Sequence, residues 1–309
     1  MSAPSATPST PASRKLWTPV AVSTALTSVS PVVQPRNKFM LLAFRGSQNA
    51  LPAMARSAFF VVRLFAVFPL FLVDTVWAET SCKPFAALEP VSIHHIYDGD
   101  TLKLSDGRKL RLIGINATEV GHDGKPDEPL AKAATRAVTE FIREADDHIS
   151  ILTDRQEKDR YGRLLAHLFN SRGDSLEQHM LEQGLAYHVA IPPNLSLAEC
   201  FAAAEAKARS EGLGLWGVSG IVPVPAAEVG RGGFQRVRGT VTAMKLGKSW
   251  RLTLDNHLVA ITYPENQVYF DRHWYQSLDD RFIEVQGWVY RSRGEWRIKL
   301  ETPYGVLMP

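Results

Sequence analysis

What most constrains this chain is the shortness of its apolar segments. Val91–Tyr97, Thr101–Leu104, Lys109–Ile115, Ile149–Thr153 and Gly162–Phe169 alternate or run apolar, and turn formers such as Ser105-Asp106-Gly107 close them. A second batch follows at Arg236–Met244, Ser249–Leu254, His257–Tyr263, Phe282–Tyr290 and Glu295–Glu301, punctuated by Gly247, Asn256 and Arg293-Gly294. Between the strands of the first batch, Leu130–Ala145 has helical spacing. Asp174 with Glu177, and Ser196 with Glu199, form capping-box patterns that predict two more helices, with Gly184 and Gly212 as stops. The fold class expected is mainly β with helices (α+β): an antiparallel, barrel-like sheet with three helices at one side, then a second small barrel.

Domain organisation follows from composition. The chain has 309 residues, 45% apolar and 22% charged, which excludes wholesale disorder and gives room for about two domains. Residues 1–53 contain no Asp or Glu and read as a disordered or mis-annotated upstream segment. Residues 54–78 read as a signal peptide: Met54-Ala-Arg56, an apolar stretch broken by Arg63, then Val76-Trp77-Ala78 before the cut. Arg63 and Asp74 interrupt the run short of a membrane span, so membrane association is expected only if this segment is retained, and translation is expected to start at Met54. Residues 79–218 form the first domain, 219–233 a Pro/Gly-marked linker and 234–309 the second barrel, of oligonucleotide/oligosaccharide-binding type with an SH3-like barrel as the alternative.

With only two cysteines and no CxxC pair, the sequence excludes a disulfide-dense scaffold and offers no structural zinc motif. Export places Cys82 and Cys200 in an oxidising compartment, periplasmic or extracellular, where they are expected to pair and stabilise by about 2–4 kcal/mol. The formal charge of +3 is mostly leader: residues 79–218 carry −6 and residues 219–309 carry +3. An anionic first domain must grip any anion locally rather than through a broad positive field.

Three clusters supply such a grip. Asp98-Gly99-Asp100-Thr101 sets two carboxylates around a turn, a pattern shared by ordinary hairpins and by sites for hard cations. Arg111 opens Arg-Leu-Ile-Gly-Ile-Asn-Ala-Thr-Glu; strand alternation would put it on the face of Ile113 and Ile115, partly inside the barrel, where a guanidinium requires a carboxylate or phosphate. The charged run Asp154–Arg163 enters a strand at Tyr161-Gly162-Arg163. Two arginines, a glutamate and an acidic turn are what phosphodiester hydrolysis requires: guanidiniums for the five-coordinate phosphorus, a cation to polarise an oxygen, a carboxylate to activate water.

From about Val91 to Gly217 the chain resembles the staphylococcal nuclease (thermonuclease) family. The resemblance rests on Asp-Gly-Asp-Thr, Arg-Leu-x-Gly-Ile-x-x-x-Glu, Asp-Arg-Tyr-Gly-Arg-Leu-Leu-Ala, Gln-Gly-Leu-Ala and Gly-Leu-Trp-Gly in that order. It implies a five-stranded barrel of the oligonucleotide-binding type with three helices, and a calcium-dependent endonuclease that cleaves DNA and RNA to 3′-phosphate ends. It assigns Arg111 and Arg163 to the scissile phosphate and Glu119 to the attacking water. Asp100, Asn116 and the Ala117 carbonyl correspond to calcium ligands, and Arg160 and Tyr161 border the nucleotide. Two departures stand out: Asn116 replaces a second calcium carboxylate, and Val189–Asn194 lacks the tyrosines on which the family stacks nucleotide. Asn116 keeps open a second reading, a non-catalytic nucleic-acid-binding or scaffold protein on the same fold. The expected partner is nucleic acid, with the protein a monomer and no obligate protein partner.

The second barrel carries Trp250, Tyr263, Trp274, Tyr275, Trp288, Tyr290 and Trp296 among Arg251, Arg291, Arg293, Arg297 and Lys299. That mixture suits either base stacking along a phosphate track or ordinary barrel packing. Trp216 reads as a core plug, and His94, His95, His122, His167 and His179 show no convergent ligand spacing.

Overall fold

In the computed structural model the first five-stranded barrel closes through a bent first strand. The structure describes residues 82–121, 124–218 and 221–308, all within one compact unit, Val73–Pro309. The signal segment, the proposed start at Met54, His122 and the first residues of the expected linker lie outside the described residues.

The first part comprises β1 (Glu89–Val91), β2 (Ile93–Ile96), β3 (Thr101–Leu104), β4 (Lys109–Leu112), β5 (Ile115–Ala117), α1 (Ala131–Glu144), β6 (Ile149–Lys158), β7 (Leu164–Asn170), α2 (Leu176–Glu182), β8 (Ala186–His188) and α3 (Ala198–Glu211). The expected single strand Val91–Tyr97 is bent at Ser92, so β1 pairs with β6 and β2 with β3. The sheet order β1-β6-β7-β4-β3-β2 thereby becomes a closed barrel. Its one parallel pair, β4 with β7, departs from the all-antiparallel expectation, because the chain passes through α1 and β6 before returning beside β4. Leu102, Leu104, Leu110, Leu112, Ile151 and Leu168 fill it, each almost fully buried. A separate two-stranded ladder, β5 with β8, sets Asn116 opposite Tyr187.

Cys82 and Cys200 form a disulfide that ties the start of the described chain to α3. The caps differ from expectation. Helix α2 is capped by Ser175, whose Oγ accepts the Gln178 N–H at 3.2 Å, while Asp174 is occupied by Lys83, Arg172 and Asn170. Ser196 does not cap α3: its hydroxyl donates to Asp154 of β6 at 2.9 Å, and α3 begins two residues later.

The second part comprises β9 (Val224–Pro225), β10 (Gly233–Leu246), β11 (Trp250–Leu254), β12 (Leu258–Thr262), α4 (Arg272–Gln276), β13 (Phe282–Ser292), β14 (Glu295–Lys299) and β15 (Val306–Leu307). Here β10 pairs with both β11 and β13, and β12 runs parallel to β14, so five strands close in the order β10-β11-β12-β14-β13. The first barrel has the same order and the same single parallel pair, so both have the oligonucleotide/oligosaccharide-binding topology. Arg293 and Gly294 both take positive φ, as a two-residue hairpin between twisted strands demands.

The barrels meet across β8 and β13. Gln286 donates to the His188 carbonyl at 2.9 Å and reaches both oxygens of Glu205 on α3 at 3.4 and 3.3 Å. Thr302 donates to the Ala190 carbonyl at 3.2 Å. Tyr187 packs on Phe234 (5.2 Å between centroids) and edge-on to Trp216, over which the Arg236 guanidinium sits at 4.3 Å. Trp216 is thus a half-buried joint between the barrels, not a core plug; Leu215 takes the core position.

Candidate nuclease site

The site begins with a glycine. A Cβ on Gly99 would lie 2.6 Å from the Ala117 Cβ and 2.8 Å from the Ala134 Cβ, so only glycine lets the β2–β3 turn press against β5 and α1. Asp98 organises that turn: its Oδ1 accepts the N–H groups of Asp100 (2.9 Å) and Thr101 (2.7 Å). Asp100 is thereby driven inward, its side chain 4% exposed. Its Oδ2 accepts the Ala117 N–H at 2.8 Å and faces Arg111 Nη1 at 2.6 Å, while its Oδ1 accepts the Thr101 hydroxyl at 3.0 Å. Burial pushes the Asp100 carboxyl up to about 7, against the pull of Arg111.

Arg111 does not share a face with Ile113 and Ile115 inside the barrel. Strand β4 ends at Leu112, and Gly114 takes φ +87° beneath the Phe201 ring, so alternation stops there. Leu110 and Leu112 point into the core and Arg111 points away from it, its guanidinium shared between Asp100 and the Asn116 Oδ1 at 3.3 Å. The requirement for an anionic partner is met by Asp100.

Arg163 stands at the mouth of β7. Asp159 accepts its backbone N–H at 2.9 Å and its Nε at 2.7 Å, and also accepts the Tyr161 N–H at 2.9 Å. These bonds, led against burial by the Arg163 side chain, hold the Asp159 carboxyl below its ordinary value. Arg160 stacks on the Tyr161 ring at 4.7 Å from its centroid, and Tyr161 is 68% exposed.

Arg111, Arg160, Tyr161 and Arg163 line one cleft of about 610 Å³, with Gln156, Asn194 and Ile191 beside them. Gln156 and Asn194 exchange two hydrogen bonds (2.7 and 2.9 Å), which pins the segment after β8 to the end of β6. Glu119 follows β5, and its backbone N–H donates to the Glu128 carboxylate at 3.0 Å. Partial burial, then the charge of Asp98, raises the Glu119 carboxyl, with Arg111 and Arg163 pulling the other way. The charges of both arginines act on Glu119, which does not itself line their cleft.

Among the described residues no group of three or more His, Cys, Asp or Glu side chains converges as a metal cage. The Asp100 carboxylate and the Asn116 amide oxygen, donors of the kind a hard divalent cation takes, both face the Arg111 guanidinium, and Ala117 meets Asp100 through its N–H. Burial first, and Asp98 after it, raises both Asp100 and Glu119, and the Arg111 guanidinium offsets part of that rise in each.

Residues 109–218 match the family model described as staphylococcal nuclease homologue. This part of the chain is a staphylococcal nuclease-like domain. The Asp98–Thr101 turn lies just before the matched residues of the nuclease domain. The thermonuclease of Staphylococcus intermedius is 29% identical over 132 residues, which cover 41% of this chain and 76% of that protein. The Staphylococcus hyicus thermonuclease is 28% identical over 124 residues, 39% of this chain and 72% of that one. Endonuclease YncB of Bacillus subtilis is 28% identical over 137 residues, 43% of this chain and 64% of its own.

Sequence reasoning missed the residues that the C-terminal barrel brings to this cleft: Trp288 of β13 and Glu301 after β14 are part of its lining. Trp288 was visible only as one aromatic among many, and its placement depends on how two barrels dock.

Proposed function

We propose that this nuclease hydrolase is an exported, calcium-dependent endonuclease that cleaves DNA and RNA to 3′-phosphate ends. The observation that carries the reading is the shared cleft of Arg111 and Arg163, with Asp100 behind one arginine and Asp159 behind the other. Each carboxylate fixes its guanidinium by an ion pair, so both donors are preorganised for a phosphate and need not reorganise as charge builds on phosphorus. Glu119 takes a proton from the attacking water; its raised pKa makes it a better base than an ordinary glutamate. As the water oxygen bonds to phosphorus the bond to the 5′ oxygen breaks, and the departing oxygen takes up a proton from solvent to leave as a hydroxyl.

Asp100, Asn116 and the Ala117 carbonyl would hold the calcium ion, which when bound polarises a phosphoryl oxygen. An amide in place of a second carboxylate lowers the ligand charge, so calcium binding is expected to be weak, with the site filling only at extracellular calcium concentrations. The Cys82–Cys200 disulfide is compatible with export. The test is incubation of the purified chain from Glu79 onward with supercoiled plasmid and with single-stranded DNA, in millimolar calcium and in excess chelator. Calcium-dependent cleavage leaving 3′-phosphate ends is expected. Retained binding with no turnover in calcium would replace this reading with the non-catalytic one that Asn116 suggests.

A further inference from the structure

The nuclease cleft is walled on one side by the second barrel. Trp288 and Glu301 line it together with Arg111, Arg163, Arg160 and Tyr161. Trp288 is 44% exposed, although its strand neighbours Gly287 and Val289 are buried. Its ring is braced on one side by Phe234, edge-on at 5.1 Å, and Phe234 packs in turn on Tyr187, which faces Asn116 across the β5–β8 ladder. A braced aromatic that still faces solvent inside a cationic cleft has the form of a stacking platform: rigid, apolar and already in place. Meanwhile the floor of the cleft beside it, Val189 to Asn194, supplies no aromatic ring of its own.

The cleft continues past Trp288. A smaller cavity of about 220 Å³ shares Val189, Ile191, Trp288 and Glu301 with it and extends to Tyr290 and Lys299. Glu301 is the one carboxylate on this wall, and Lys299 holds it at 3.0 Å, so the wall adds no net repulsion toward a phosphate strand.

We propose that Trp288 is a substrate-binding residue: it stacks a base of the strand whose phosphate lies between Arg111 and Arg163, which makes the active site a composite of both barrels. The position of that phosphate rests on the nuclease reading above. Because a stacked base must leave its own helix, the same contact favours single-stranded over duplex substrate.

The test uses W288A and W288F in the chain from Glu79 onward, with a short labelled single-stranded oligonucleotide. Losing one stacked base should raise KM about tenfold in W288A while kcat stays within about twofold. W288F, which keeps a ring against Phe234, should recover most of that loss. A second arm measures binding of the same oligonucleotide by fluorescence anisotropy in an E119Q background, where adding W288A should weaken Kd by about the same factor. An unchanged KM and Kd in W288A would overturn the proposal while leaving the nuclease intact. Equal losses in W288F and W288A, with kcat falling in step, would also overturn it, because that pattern marks a damaged cleft and not a lost stack. If the wild-type chain binds but never cleaves, the nuclease reading fails, and the anisotropy arm still decides the role of Trp288.

Discussion

Glu205 sits on α3 under the second barrel, 3% exposed, with its carboxylate receiving the His188 N–H at 2.7 Å and the Gln286 amide. Burial pushes its pKa up to about 7 from an ordinary 4.5, the hydrogen bonds from His188 and Gln286 pulling back only in part. The folded protein therefore binds this proton more tightly than the unfolded chain does. Between pH 4.5 and about 7 the native state holds more protons, so stability falls as pH rises through that window and is flat above it. At 1.36 kcal/mol per pKa unit, the ionised carboxylate costs about 3 kcal/mol at pH 8. Substituting Glu205→Gln removes the charge and keeps an acceptor for the His188 N–H. The new amide also gains an acceptor, because the buried Gln286 Oε1 otherwise has no hydrogen-bond partner. Urea denaturation at pH 5, 6 and 8 should show E205Q more stable than wild type at pH 8 by up to about 3 kcal/mol, with the difference shrinking to near zero at pH 5. A variant that is less stable at pH 8, or whose advantage does not change with pH, would show that the buried Glu205 carboxylate carries no such cost.

Gly99→Ala should destabilise by about 1–3 kcal/mol, since the added methyl meets the Ala117 and Ala134 Cβ atoms and one wall must move; a thermal melt within a degree of wild type would show that the turn is not pressed against β5. Removing the disulfide with Cys82→Ser and Cys200→Ser should cost about 2–4 kcal/mol in denaturant titrations, and the pair should behave like either single variant.

Much of the fold was legible because it depends on local pattern. Strand alternation and turn chemistry located the strands of both barrels, and the Arg293-Gly294 hairpin needs only two residues with positive φ. Errors arose where a distant group competes for a side chain. Ser196 reads as a helix cap, yet Asp154, forty-two residues away, takes its hydroxyl. Arg111 reads as inward-facing because alternation was carried through Gly114, where Phe201 and a positive φ end the strand. At the proposed site, the order of motifs pointed to Asp100, Arg111, Glu119 and Arg163; the structure sets Arg111 and Arg163 in one cleft, but the groups that support them lie elsewhere. Asp159 fixes Arg163 within one loop and could be suspected from its spacing. Neither the burial of Glu205 nor the arrival of Trp288 could be, since both follow from docking one barrel on the other.

In the proposed reaction Glu119 activates water for a phosphate held by Arg111 and Arg163. The measurement that bears on it most directly is steady-state cleavage of single-stranded DNA by Glu119→Gln in calcium, with circular dichroism to verify folding. In E119Q kcat should fall by about 10²–10⁴, the usual contribution of a general base, with KM little changed. A folded E119Q protein that cleaves within twofold of wild type would contradict it.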